Sequence, residues 1–432
     1  MKKKISIFWF RRDLRLDDNK GLYKALKDKK NVLPIFIFDK NILDKLKEND
    51  HRIEYIIHSI SKMNDLLSIK NKTISCFYGN PKKVFSDIIN EYDVQKVYTN
   101  RDYTPYSIKR DNIIKSYLED KKIKFCDFKD HVLFEKNEVV KDDGTPYRVY
   151  TPFSKKWIIK MNEEGVPEYC SENLIENLIS NEHKFNSESM GFVKSNIKFL
   201  QSDISDQIVN DYESKRNFPS SNGTSKVGVE LRFGTISTRK LIKKAHNSTN
   251  NTFLKELIWR EFFQQILYHF PRTVIESFKP KYDRIEWLNN EKDFSKWCKG
   301  QTGYPLVDAG MRELNETGFM HNRVRMVVGS FLCKHLLIDW RWGEAYFREK
   351  LFDYETASNV GNWQWVAGCG VDAAPYFRIF NPHEQLKKFD KQFSYTKKWV
   401  PEFETNQYTS PIVDHKEARE RCLITYKKAL NT

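Results

Sequence analysis

The sequence predicts two architectures in series: an α/β N-terminal domain built on a doubly wound, Rossmann-like parallel sheet, and an all-α C-terminal domain, joined by a long connector. Three observations predict it. Apolar runs alternate with helix-length amphipathic stretches over residues 1–130, that rhythm stops over 131–205, and helical periodicity dominates 206–432. Eight of the ten tryptophans lie beyond residue 250, so the helical domain is also the aromatic one.

The strands come first. ISIFWF (5–10), VLPIFIF (32–38), TISCFY (73–78), KVYTN (96–100) and IKFCDF (123–128) are short, rich in β-branched and aromatic residues, and bounded by polar stretches of helix length. Continuous apolar character, rather than alternation, marks strands buried on both faces, as in a parallel sheet. Residues 131–205 open with KDDGTPYRVYTPFSKKW and then turn to Asn, Glu, Ser and Lys in CSENLIENLISNEHKFNSES, the composition of a connector.

A chain of 432 residues, 40% hydrophobic and 14% aromatic, has the material for two cores. No apolar run is long enough to span a bilayer, and MKKKISIFWFRRDLRLDD regains charge before a signal-peptide core forms, so the expectation is a cytoplasmic protein without a membrane partner. Seven scattered cysteines with no CxxC pair read as reduced thiols, with no metal site. The formal charge of +15 favours a polyanionic partner, since each phosphate neutralised releases counterions, although abundant lysine also serves only to solvate a surface. No heptad seam calls for a second copy, so a monomer is expected.

Four stretches of the helical domain carry chemistry. NGTSKVG (222–228) places backbone N–H groups, hydroxyls and a lysine at a helix start, which suits phosphate but also describes an ordinary loop. In FLKELIWREFFQQILYHFP, Glu256 and Trp259 share a helix face, with Arg260 and Glu261 beside them: a grip for a planar ligand, or an amphipathic helix with a surface ion pair. In TGFMHNRVRM, Asn322, Arg323 and Met326 form one strip, and His321 is either an acid–base group or, with more weight, structural. LFDYETASNVGNWQW brings Asp353, Glu355 and Asn359 ahead of Trp363 and Trp365. Helical positions two apart point about 200° away from each other, so the two indoles require different neighbours.

FWFRRDLRLDDN, ELIWREF, TGYPLVDAGMRELNETGFMHNRVRM, LLIDWRWGE and NWQWVAGCGVDAAPYFRIFNP, in this order, resemble the photolyase/cryptochrome family, and nearest within it the class I cyclobutane pyrimidine dimer (CPD) photolyases. The resemblance implies a helical domain holding FAD, and repair of UV-damaged DNA by electron transfer from reduced flavin to a flipped-out dimer. It implies that Tyr212, Thr224, Ser225, Lys226, Val227, Gly228 and Phe253 hold the FAD phosphates and ribityl chain. Asn322, Arg325, Asp353, Tyr354, Glu355 and Asn359 would surround the flavin ring, with Asn359 facing N5. Glu256 would hydrogen-bond the dimer, Trp259 and Trp365 would stack on it, Arg260, Asn322, Arg323 and Met326 would touch it, and Arg216 would contact DNA. Trp363, Trp340 and Trp287 would form an electron-transfer chain.

The sequence also departs from the family pattern. Val227, Gly228 and Val229 stand where Leu-Ser-Pro is usual. Ser107 stands where folate-binding members carry a glutamate, so a folate antenna is not expected, and a second chromophore is left open between a deazaflavin, a flavin and none. Histidines at the positions of Asn322 and Met326 would mark a (6-4) photolyase, and a glutamine at Met326 a DASH-type cryptochrome. The rival reading is a blue-light photoreceptor, for which a long tail is typical; here the chain stops soon after KKWVPEF.

Overall fold

The computed structural model describes residues 2–180, 186–195 and 197–431; residues 181–185 and 196 of the expected connector lie outside the described residues. The chain forms two units, one of Met1–Val139, Trp157–Phe199 and Val227–Asn247, the other of Val140–Lys156, Leu200–Lys226 and Ser248–Thr432.

The first unit contains the five expected strands, β1 (Lys4–Phe10), β2 (Val32–Asp39), β3 (Ser75–Gly79), β4 (Asp93–Asn100) and β5 (Lys124–Phe128). They form one parallel sheet in the order β3-β2-β1-β4-β5, with Trp9 opposite Ile35 on one side and Thr99 on the other. Helices α1 (Lys20–Asp28), α2 (His51–Ser68), α3 (Pro81–Glu91) and α4 (Pro105–Asp120) connect them. Each begins where the sequence provides a cap: Asn19, Asp50, Asn80 and Thr104 accept from first-turn N–H groups, and Pro81 and Pro105 occupy the first helical position. The sheet core gathers Ile7, Trp9, Leu33, Ile35, Phe85 and Val97. Strand order reverses between β1 and β4. There Asn100 Nδ2 donates to Asp13 Oδ2 (2.6 Å) and Asn100 Oδ1 accepts from Gly21 N (2.9 Å).

Boundaries at 130 and 205 do not coincide with these units, because residues 157–199 and 227–247 belong to the first. Polar composition suggested a connector, yet Ser171 is fully buried, donating to Leu16 O and accepting from Asn19 N at 3.0 Å. Helix Thr238–His246 contributes Arg239 to a buried ion network. Its guanidinium meets Asp18 Oδ2 at 3.0 Å and Asp130 Oδ1 at 2.9 Å, while Arg15 meets Asp130 Oδ2 at 2.7 Å. Burial pushes the Asp130 carboxyl up, but Arg15 and Arg239 outweigh it and hold the group well below the usual carboxylate range.

The second unit is helical. Its main elements are α5 (Thr252–His269), α6 (Pro305–Thr317), α7 (Asn322–Ser330), α8 (Trp340–Lys350) and α9 (Thr356–Ala367), with a π-helical turn at Phe331–His335 after α7. Trp297, Met311, Val328, Phe331, Phe347 and Trp363 lie in its core. No helix among the described residues is long and apolar enough to cross a membrane.

Replacing Asp130 with Ala removes the carboxylate that Arg15 meets and one of the two that Arg239 meets, and should lower the unfolding free energy by about 3–5 kcal/mol in urea titrations near neutral pH. A depressed carboxyl stabilises fully above its unfolded value of about 4 and loses that effect only as pH falls through its lower folded value. The deficit of the variant should therefore persist to about pH 4 and shrink only in stronger acid.

Candidate active site

Helix α9 places Asn359, Trp363 and Trp365 of the expected site. Glu355 caps it by accepting from Ser358 N (3.0 Å), and Gly368 ends it with a left-handed φ of +90°. Asn359 is buried, and its Nδ2 donates to Glu344 O (3.2 Å) and Glu344 Oε1 (3.0 Å). Two acceptors on one side fix the orientation of the amide and direct Oδ1 away from Glu344. Glu344 is itself held by Arg348 (2.7 Å) and Tyr354 OH (3.4 Å). Glu344 escaped sequence reasoning because an i, i+4 Glu–Arg pair reads as an ordinary surface ion pair.

Trp363 and Trp365 have the different surroundings that their spacing requires. Trp363 is buried edge-on against Phe347 (4.9 Å, 77°) and Trp297 (6.2 Å, 67°), whereas Trp365 is half-buried at the margin of the core. Trp340 is buried in the same core as Trp363, and Trp287 packs at its edge, half-buried against Tyr426 (5.9 Å, 90°). Exposure thus rises toward Trp287.

Helix α7 and the segment before α9 carry a second group. Arg325 donates to Met320 O (2.7 Å) and to Asp353 Oδ2 (2.9 Å), while Asp353 Oδ1 is buried with no hydrogen-bond partner among the described residues. Arg323 donates to Asn217 Oδ1 (2.6 Å), reaches Met326 Sδ at 3.7 Å and lies 4.4 Å over Phe389. Asn322 is exposed at the start of α7. His321 is the cap of that helix, its Nδ1 accepting from Arg323 N at 3.2 Å. Burial, then Arg325, Arg323 and Lys226, push the imidazole down to about 4, so it stays neutral and able to accept; its role is structural.

Helix α5 presents Glu256 and Trp259 half-buried on one face. Glu256 Oε1 is ion-paired with Arg216 Nη1, which follows helix Asp206–Lys215 as its C-terminal cap. Burial pushes the Glu256 carboxyl above its ordinary range, and Arg216 pulls it part of the way back. Tyr212 meets Phe253 edge-on at 5.1 Å, with Arg216 5.9 Å over its ring. One face of Trp259 is covered by Tyr150, parallel at 3.7 Å and 4°. Tyr150 is anchored by its N–H to Asp372 Oδ2 (3.0 Å) and its OH to Lys255 O (2.8 Å). Tyr150 lies in the 131–205 stretch whose composition is that of a connector, where only its aromatic character sets it apart. Arg260 is half-buried one turn beyond Glu256.

In the loop, Thr224 is half-buried, Ser225 is buried with its carbonyl accepting from Asp203 N (2.9 Å), and Lys226 adopts a left-handed φ of +53°. Val227 and Gly228, expected beside them, fall in the first unit. Ser107 in α4 is buried, with its hydroxyl accepting from Thr104 at 2.8 Å. Among the described residues no cluster of His, Cys, Asp and Glu could hold a metal ion.

An α/β unit and a helical unit whose α5, α7 and α9 present an oriented amide, an ion-paired carboxylate and aromatic faces define the class. Residues 6–171 match the family profile of DNA photolyase, and residues 253–407 that of the FAD binding domain of DNA photolyase. The chain is 35% identical to the deoxyribodipyrimidine photo-lyase of Agrobacterium fabrum, covering 99% of this chain and 98% of that one. A bacterial class III photolyase from Agrobacterium tumefaciens superposes with a TM-score of 0.86 at 32% identity, over 100% and 99% of the two chains. An archaeal photolyase from Sulfolobus tokodaii, solved with two FAD molecules, superposes with a TM-score of 0.85 at 34% identity over 98% and 100%. The chain belongs to the DNA photolyase family.

A Cβ at Gly343 would lie 2.1 Å from Trp363 Cη2 and 2.7 Å from Leu332 Cδ2. Gly343→Ala should therefore lower stability by about 1–3 kcal/mol in denaturant unfolding, and alter tryptophan fluorescence as the indole is displaced.

Proposed function

We propose that the chain repairs UV-damaged DNA through the side chains gathered on α5, α7 and α9. It is a deoxyribodipyrimidine photo-lyase, a carbon–carbon lyase with FAD as cofactor. The observation that supports the residue assignment is that α5 carries Glu256, ion-paired with Arg216, and Trp259, stacked on Tyr150, while α9 carries Asn359, oriented by Glu344.

The donor set suits the cofactor. An isoalloxazine carries N–H and C=O groups along one edge, and the buried, unpartnered Asp353 Oδ1 beside the Arg325 guanidinium offers an acceptor next to a donor. Bound and reduced FAD supplies the electron that blue light drives into the dimer. Asn359, held by Glu344, would offer a neutral amide oxygen to the flavin ring, where a carboxylate would repel a reduced ring. Tyr212, Phe253, Thr224, Ser225 and Lys226 hold the phosphates and ribityl chain, and Tyr354 and Glu355 close the ring pocket. Tyr150 steadies Trp259 so that its other face stacks on the lesion, with Trp365 opposite. Glu256 hydrogen-bonds the dimer and stabilises the charge it gains. Arg216, Arg260, Asn322, Arg323 and Met326 line the DNA side. Trp363, Trp340 and Trp287 relay an electron inward from the surface.

Two variants separate these roles. Trp363→Phe should lose most light-driven flavin reduction, followed by absorbance, yet repair CPD-containing oligothymidine normally once chemically reduced. Glu256→Ala should photoreduce normally but repair about tenfold less well, the loss of one charge-assisted hydrogen bond. Equal repair by Glu256→Ala and the parent protein would remove Glu256 from the dimer, and normal photoreduction by Trp363→Phe would break the relay.

A further inference from the structure

We infer that Arg216 is an exchangeable counterion: it holds Glu256 as a carboxylate while no lesion is bound, and lesion binding transfers Arg216 to a DNA phosphate while Glu256 takes up a proton. This rests on the reading that Glu256 meets the dimer.

The geometry supports an exchange rather than a fixed pair. Both partners are about one-third exposed, at 34% for Arg216 and 35% for Glu256, unlike the Arg239–Asp130 pair, at 4% and 0%. The backbone of Arg216 is anchored by its N–H to Tyr212 O (2.9 Å), so only the side chain has to move. Arg216 also stands among like charges. Burial first, then Arg216 and Arg378, disfavour the charged form of Arg323, whose side-chain hydrogen bonds go to a neutral amide and a thioether. Arg216 pairs with Glu256 but is repelled by Arg323, which Arg378 also repels, so this cluster gains from an arriving phosphate, and the phosphate can release Arg216 from Glu256.

Glu256 then loses the group that favours its charge. Around it stand Arg216 and Tyr212 from helix Asp206–Lys215 and its cap, Tyr150 from the start of helix Tyr150–Glu164, and Lys255 and Arg260 on α5 itself, while Arg323, which Arg378 also repels, acts on Arg216. Burial raises both tyrosine hydroxyls well above their ordinary range, so they keep their protons, and Glu256 is the carboxylate of this set that can take one. The step balances as carboxylate plus one proton from solvent giving carboxyl, with no electron moved. A carboxyl O–H can donate to a carbonyl oxygen of the lesion, where a carboxylate would meet it lone pair to lone pair.

The test is calorimetric titration of the FAD-loaded protein in the dark at about pH 8, with a duplex carrying one CPD and with the same undamaged duplex, in phosphate and in Tris. The dependence of the heat on buffer ionisation enthalpy counts protons. The damaged duplex should draw in about one more proton than the undamaged one. The excess should vanish in Glu256→Gln and fall in Arg216→Gln, where the carboxyl is already less charged before binding; bound-flavin absorbance confirms that both variants fold. No excess in the parent protein, or the same excess in Glu256→Gln, would overturn the exchange while Glu256→Gln still repairs poorly. Repair and damaged-duplex binding by Glu256→Gln equal to the parent's would instead overturn the placement of Glu256 on the dimer.

Discussion

The helical unit depends on how closely α9 approaches its neighbours. Gly343 on α8 and Gly329 on α7 lie against the Trp363 indole, and Gly361 on α9 lies against the Phe263 ring of α5, so that a Cβ there would come within 2.3 Å of Phe263 Cδ1. These contacts leave α9 little freedom to rotate. Asn359, one turn before Trp363, is thereby brought to Glu344, the residue next to Gly343. Trp365, two positions on, points elsewhere. Close packing at three glycines thus sets the amide orientation, the burial of the inner tryptophan and the half-exposure of the outer one together.

The same residue types do two kinds of work in the two units. Arg15, Arg239, Asp18 and Asp130 are almost fully enclosed and pair with one another, which ties distant segments of the first unit together. Arg216 with Glu256 and Arg325 with Asp353 remain partly open, and one oxygen of Asp353 has no partner among the described residues. A pair removed from solvent on all sides is costly to break, because either partner alone is a buried charge. A pair with an open side, a raised carboxyl or an unmet acceptor leaves groups that a ligand can meet.

Much of this was legible in the sequence. Apolar runs located all five strands because a parallel sheet buries both faces, and the i, i+2 indoles correctly required separate environments. The pairing of Arg325 with Asp353 was not visible in spacing, since 28 residues separate them; only the resemblance to the family suggested a common site. Glu344 and Tyr150 stayed hidden because their roles are indirect, one orienting an amide and the other covering an indole face. The 157–199 segment misled through composition: Ser171 looks like linker chemistry but is a buried hydrogen-bonding group. Tertiary partners outweighed local character at each of these positions.

The central claim is that a lesion site and a flavin site lie on adjoining helices so that light absorbed at one repairs the other. The most direct measurement is the fate of CPDs in oligothymidine mixed with the purified, photoreduced protein under blue light, beside a dark control. Dimers should disappear in the light alone, with many lost per protein. Flavin that photoreduces normally while the dimers survive would contradict it and place the chain with the light sensors.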